Sequence, residues 1–233
     1  MKNILAAVAF FLIYSTSFAQ EFKIEYVKNP DNTVSRGRME NGKKTGLWVT
    51  YDSQSNPKRM EEYKDGERHG YFVENDEHGH PFMEGWFNNG KPVGKHTIFS
   101  HGVLLRDMDF DLGTLKEYYE SSSIKKESKI KNGQPDGTMT QYYEDGSKLS
   151  ETNFVEGKKT GLQKFYYQTG GIQAEYSTVN DELSGPYKDY HSNGKTATEG
   201  VYEKNQKQGV WKEYDESGKL IKQTKYKNDT EVK

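Results

Sequence analysis

Cysteine is absent from all 233 residues, so no disulfide ties the fold and no thiolate acts as nucleophile or metal ligand. Branched aliphatic and phenylalanine side chains are scarce. Leu, Ile, Val and Phe together supply 42 residues, about 18%, too few for a thick globular core. Charge of one sign is lacking as well, with 33 Lys and Arg against 35 Asp and Glu, which argues against a general nucleic-acid binder. Helical periodicity of useful length is missing after residue 20.

Aromatic residues fill the gap. The 17 tyrosines and 3 tryptophans provide the apolar area that the aliphatics do not, and the near-neutral charge is unlike that of a disordered chain. The first residues read differently from the rest. Lys2, the apolar run Ile4 to Ile13 and the small-residue end Ser17-Phe18-Ala19 have the order of a secretory signal peptide, with cleavage expected after Ala19. The run is too short to span a membrane. The chain is therefore expected to be exported, to a periplasmic, outer-membrane associated or extracellular location.

The hexapeptide Gly42-Lys43-Lys44-Thr45-Gly46-Leu47 returns letter for letter as Gly157-Lys158-Lys159-Thr160-Gly161-Leu162, which prompts a search for a period. With the second glycine as anchor, glycines fall at Gly46, Gly70, Gly94, Gly113, Gly137, Gly161, Gly185 and Gly209. Every step is 24 residues except the 19 between Gly94 and Gly113. Five residues past each anchor stand Tyr51, Asn75, Phe99, Tyr118, Tyr142, Tyr166, Tyr190 and Tyr214. Two past it stand Trp48, Phe72, His96, Leu115, Met139, Gln163, Tyr187 and Trp211. His96, Gln163 and Asn75 depart from the aromatic or apolar pattern, and the units that carry them are expected to pack loosely.

Turn signals bracket each unit. Asn41-Gly42, Asp65-Gly66, Asn89-Gly90 and Asn132-Gly133 precede anchors, while Asp145-Gly146, Asn193-Gly194 and Ser217-Gly218 follow them. Such pairs around short runs rich in Tyr, Phe, Val and Thr signal β-hairpins. The reading is an all-β, elongated single-layer antiparallel hairpin array of about eight 24-residue units and some sixteen strands. Residues 1–19 form the signal peptide, 20–40 a degenerate capping unit, 41–226 the array and 227–233 a polar, frayed tail. Because strand side chains alternate, the residues at plus two and plus five share a face only across a bulge; otherwise both faces carry aromatics.

Units such as Gly133-Gln134-Pro135-Asp136-Gly137-Thr138-Met139-Thr140-Gln141-Tyr142-Tyr143-Glu144-Asp145-Gly146 and Asn205-Gln206-Lys207-Gln208-Gly209-Val210-Trp211-Lys212-Glu213-Tyr214 resemble MORN repeats. They are most similar to the bacterial MORN-variant repeats of YwqK-type antitoxin-like proteins. The resemblance covers about residues 40 to 226. It implies a β-hairpin platform without a catalytic site or cofactor, which holds a protein partner or, in eukaryotic relatives, membrane head groups. An antitoxin role is compatible with export only if the toxin is itself exported.

Other motifs are weaker. Gly37 to Lys44 comes within one residue of a phosphate-binding loop, but Lys44 stands where Ser or Thr is needed and no βαβ context exists. His78, His80, His96 and His101 lie in neighbouring units near Glu74, Asp76 and Glu77, without the tight spacing of a metal site. No nucleophile motif emerges. The functional candidates are the recurrent rings Trp48, Tyr51, Tyr118, Tyr142, Tyr166, Tyr190, Trp211 and Tyr214, read as core first and as hot spots or sugar-stacking platforms second. The expected partner is an unidentified protein; a cell-envelope glycan or head-group surface is the alternative.

Overall fold

The computed structural model describes residues 23–232, and the expected signal peptide at 1–19 lies outside them. The described residues form one open antiparallel sheet of twenty strands with no helix. A leading hairpin joins β1 (Ile24–Lys28) and β2 (Val34–Glu40). The first units follow as β3 (Lys43–Tyr51), β4 (Pro57–Lys64), β5 (Glu67–Asn75), β6 (Pro81–Asn88), β7 (Lys91–Ser100) and β8 (Val103–Asp109). The middle comprises β9 (Thr114–Tyr118), β10 (Ile124–Lys131), β11 (Gln134–Tyr142), β12 (Lys148–Val155), β13 (Lys158–Lys159), β14 (Gly161–Tyr166) and β15 (Ile172–Val179). The end is β16 (Glu182–Tyr190), β17 (Thr196–Glu203), β18 (Gln206–Tyr214), β19 (Leu220–Lys227) and β20 (Thr230–Val232).

Each strand pairs with its neighbours in sequence, so the topology is a plain meander. β13 and β14 are two pieces of one strand laid against β12, interrupted at Thr160, whose N–H reaches the Asn153 carbonyl at 2.9 Å. Stacked side by side at ~4.8 Å per strand the sheet is roughly 85 Å wide. The sixteen strands expected within the array are there. The additions are the leading hairpin, the split strand and β20.

That last strand corrects the expectation of a frayed tail. Thr230 to Val232 pairs with Lys225 to Lys227 around Asn228-Asp229, both in left-handed conformation at φ 51° and 62°. Short polar side chains tolerate this region, so Asn-Asp closes a two-residue hairpin without glycine. Asn180-Asp181 and Lys204-Asn205 do the same, while Asn41-Gly42 and Asn132-Gly133 follow the commoner pairing. At the opposite side of the ribbon the turns are longer. Asp52 Oδ1, for example, accepts the N–H groups of Gln54 and Asn56 at 2.9 and 2.8 Å, which closes the tip between β3 and β4.

The five-residue deletion is shared between two turns. The tip of unit three shrinks to His101-Gly102, both left-handed. The connection to the next unit runs through Phe110 to Gly113, leaving β9 only five residues long.

Trp48 lies over Gly37 and Tyr51 lies under Arg36, two adjacent residues of β2 whose side chains point oppositely. The sheet therefore carries aromatics on both faces. One face is packed by a knob-and-hole rule: the residue at plus two covers a residue eleven earlier in sequence on the preceding strand. Trp48 covers Gly37, His96 covers Gly85 and Trp211 covers Gly200, each so closely that a β-carbon on the glycine would fall 2.2–2.5 Å from the ring. A bulge loosens the ladder beside each of these glycines. The ring nitrogen closes it, since Trp48 Nε1 donates to Arg38 O at 3.0 Å and Trp211 Nε1 to Val201 O at 3.3 Å.

The same geometry overturns the expectation of loose packing. His96 puts Nε2 2.8 Å from Trp86 O and its ring within 4.8 Å of the Phe110 centroid, beside Phe72 and Phe87. Gln163 is 1% exposed, accepts the Asn153 N–H at 3.1 Å and donates to Thr178 Oγ1 at 2.9 Å. Both residues reach the bulge as the indole does, and satisfied polar atoms make their burial tolerable. Asn75 likewise donates to Pro57 O at 3.0 Å.

Candidate functional site

The other face is open and regular. Its central feature is a ladder in which the tyrosine at plus five donates its hydroxyl to a carboxylate on the preceding strand. Five rungs run in succession: Tyr118 to Asp107 at 2.8 Å, Tyr142 to Glu127 at 2.5 Å, Tyr166 to Glu151 at 2.7 Å, Tyr190 to Glu175 at 2.7 Å and Tyr214 to Glu199 at 2.8 Å. Phenol to carboxylate is a charge-assisted bond, and it holds the proton on the phenol. Partial burial and then the carboxylate push Tyr118, Tyr166 and Tyr190 up to about 12, while for Tyr142, also at about 12, the Glu127 bond is the larger cause. The bond from Lys148 and then that from Tyr166 hold Glu151 below the usual carboxylate range, and the Tyr214 bond does so for Glu199.

Beside the ladder, the next residue along each strand ties the hairpin tips together. Tyr119, Tyr143 and Tyr167 donate to the carbonyls of Tyr142, Tyr166 and Tyr190 at 2.8, 3.0 and 2.6 Å, and His191 Nε2 sits 2.8 Å from Tyr214 O. Lys188 and Lys212 reach Glu199 at 3.5 Å. Toward the opposite edge the same face becomes aliphatic. Val155, Leu162, Val179, Val201 and Val210 are 42–54% exposed, and Pro186 joins them on the strand between. These residues occupy strands β12 to β18 but are staggered along them: Val201 faces Pro186 directly, whereas Val155 faces Lys158, Leu162 faces Ser177, Val179 faces Glu182 and Val210 faces Lys225.

Two candidate rings belong elsewhere. Trp48 is 1% exposed and Trp211 4%, each locked over its glycine on the packed face, so neither is presented to a partner. Tyr51, Tyr118, Tyr142, Tyr166, Tyr190 and Tyr214 are half-exposed on the open face. The four histidines are separated too. His96 lies in the aromatic core, whereas His78 and His101 border an open hollow of about 290 Å³ with Asp76, Glu77, Phe82 and Phe99, beside the shortened tip of unit three. Among the described residues no group of three or more His, Asp or Glu side chains is arranged to hold a metal ion. The loop-like stretch from Gly37 to Lys44 is the β2–β3 hairpin, with Gly37 beneath Trp48.

Residues 135–156, 159–180, 183–204 and 207–228 each match the family described as MORN repeat variant. Over residues 135–228 the chain is similar to MORN-variant repeats. No curated protein matches it. The four matched units begin just ahead of Gly137, Gly161, Gly185 and Gly209, and the unmatched units before them repeat the same hairpin, bulge and turn. MORN-variant repeats are generally binding or interaction modules rather than catalysts.

Two parts of this site were within reach of the sequence but need the right spacing to be seen. The ladder is the recurrence of Glu and Tyr fifteen apart, as in Glu127 and Tyr142. The tip ties are the doubled aromatics Tyr118-Tyr119, Tyr142-Tyr143 and Tyr166-Tyr167.

Proposed function

We propose that this protein is an exported, non-catalytic scaffold that binds another protein across its open face. The exposed aliphatic residues from Val155 to Val210 carry the reading, because they stand on neighbouring strands of one face, interspersed with polar groups and flanked by positioned Lys, Tyr and Glu groups. Apolar centre and polar rim are the anatomy of a protein interface. The first nineteen residues support export, and an antitoxin-like role then requires a toxin that is itself exported.

The test is capture from envelope extract with the chain beginning at Gln20. A stoichiometric partner is expected, and it is expected to be lost when Leu162, Val179 and Val201 become lysine while the β-sheet circular dichroism persists. Retention on peptidoglycan or polysaccharide beads that disappears with Tyr142, Tyr166 and Tyr190→Ala would instead identify a glycan binder.

A further inference from the structure

The acceptor column of the ladder starts with an exception. Glu84, Asp107, Glu127, Glu151, Glu175 and Glu199 face the open side at the position that opposes plus three of the strand beside it; the same position is Met60 in the first unit, Gln223 in the last and Arg36, the one cation, in the leading hairpin. Arg36 stands fifteen residues before Tyr51, the spacing of the later Glu–Tyr rungs, and its guanidinium carbon lies 4.6 Å from the Tyr51 ring centroid. Where four later rungs place glutamate against tyrosine, this one stacks a cation on the ring.

No carboxylate among the described residues pairs with Arg36; its interaction is with Tyr51. Asp52 also borders the hollow; its Oδ1 accepts two backbone N–H groups and its Oδ2 the Asn56 amide at 3.1 Å, which holds the carboxylate at the tip and leaves it ionised. Around the guanidinium the surface sinks into a hollow of about 360 Å³, with Tyr26, Val34 and Tyr51 as its apolar walls and Ser53 at its polar rim. Tyr26 pairs directly across from Arg36 and is 68% exposed. A guanidinium over a ring still has N–H groups to offer a planar two-oxygen anion.

We propose that this hollow binds an organic carboxylate, with the anion on Arg36 and an aromatic or aliphatic body between Tyr26 and Tyr51. The C-terminal residue of a polypeptide and a free aromatic acid both have this chemistry. The site lies at the opposite end of the face from the exposed aliphatic residues, and it stands whether or not a protein covers them.

Titration of the chain from Gln20, followed through the Arg36 Nε–H signal in proton–nitrogen spectra, tests the assignment. N-acetylphenylalanine and phenylacetate are expected to shift that signal saturably, and N-acetylphenylalanine amide is expected to leave it in place. Tighter binding of N-acetylphenylalanine identifies a polypeptide end, and equal binding identifies a free acid. Arg36→Glu installs the residue of the later rungs, so the sheet is expected to persist while affinity, read from other signals of the hollow, falls at least about tenfold. Tyr26→Ala is expected to weaken binding with the guanidinium intact. The assignment is overturned if the amide binds as well as the acid, if inorganic phosphate binds as tightly as either acid, or if Arg36→Glu binds like the parent chain.

Discussion

At the scale of single residues, stability rests on contacts that a strand pattern alone does not advertise. Gly200 is needed because the Trp211 ring occupies the space where a side chain would begin, 2.2 Å from an added β-carbon. Gly200→Ala must push the indole off its bulge, breaking the bond to Val201 O as it does so. The expected cost is about 1–3 kcal/mol, read as a lower urea midpoint together with a red shift of tryptophan emission. An unchanged midpoint would show that the ring has room to move.

The ladder makes a residue-scale prediction about pH. Glu151 and Glu199 are held below their usual range in the folded chain, so their contribution is complete above the unfolded carboxylate range and is lost as pH falls through the folded values. Tyr118, Tyr142, Tyr166 and Tyr190 are raised to about 12, so their contribution is complete below pH ~10 and is lost as pH rises toward the folded values. Thermal midpoints should stay flat from about pH 5 to 9 and fall on either side. Tyr166→Phe should cost about 1 kcal/mol at neutral pH, a half-exposed bond to a charged acceptor, and should blunt the alkaline fall. Loss of stability uniform across pH would mean that the hydroxyl acts only through packing.

At the scale of elements, the seam between β8 and β9 is the weak point of the array. β9 has five residues where β5, β11, β16 and β18 have nine, and only Arg106 to Asp109 pair with it on the β8 side. Elements with less pairing open at lower free energy. Hydrogen exchange should therefore be faster at Arg106 to Asp109 and Thr114 to Glu117 than at the corresponding ladder of β16 and β17. Equal protection on both seams would contradict this.

The array was legible in the sequence because each unit states its own turns. Glycine at the anchors, Asn-Gly and Asp-Gly at the connectors and the ring at plus five survive in register through most units. The β19–β20 turn was not legible, because Asn228-Asp229 uses asparagine and aspartate where connectors such as Asn41-Gly42 signal themselves with glycine. Nor were His96 and Gln163 legible as core residues: hydropathy marks them as misfits, whereas their place depends on a bulge amide or carbonyl that only the folded backbone presents. Trp48 and Trp211 were ambiguous for a related reason, since the glycine eleven residues earlier decides which face buries them.

At the scale of the whole molecule, the chain is a single open layer with two unlike faces. The packed face spends its rings on bulges and glycines, which leaves the tyrosine–carboxylate ladder and the exposed aliphatic residues as the only extended surface built to a repeat among the described residues. In such an array neighbouring units carry the stability and the length carries the binding area. A partner laid along β12 to β18 would meet apolar residues at one edge and fixed charges at the other. The most direct measurement places a photo-cross-linking residue at Val201 or Val210 on the open face and, separately, at Phe154 or Ile130 on the packed face, in the chain from Gln20. The account predicts one partner band from the open-face positions and none from the packed-face positions; cross-linking from the packed face with none from Val201 or Val210 would contradict it.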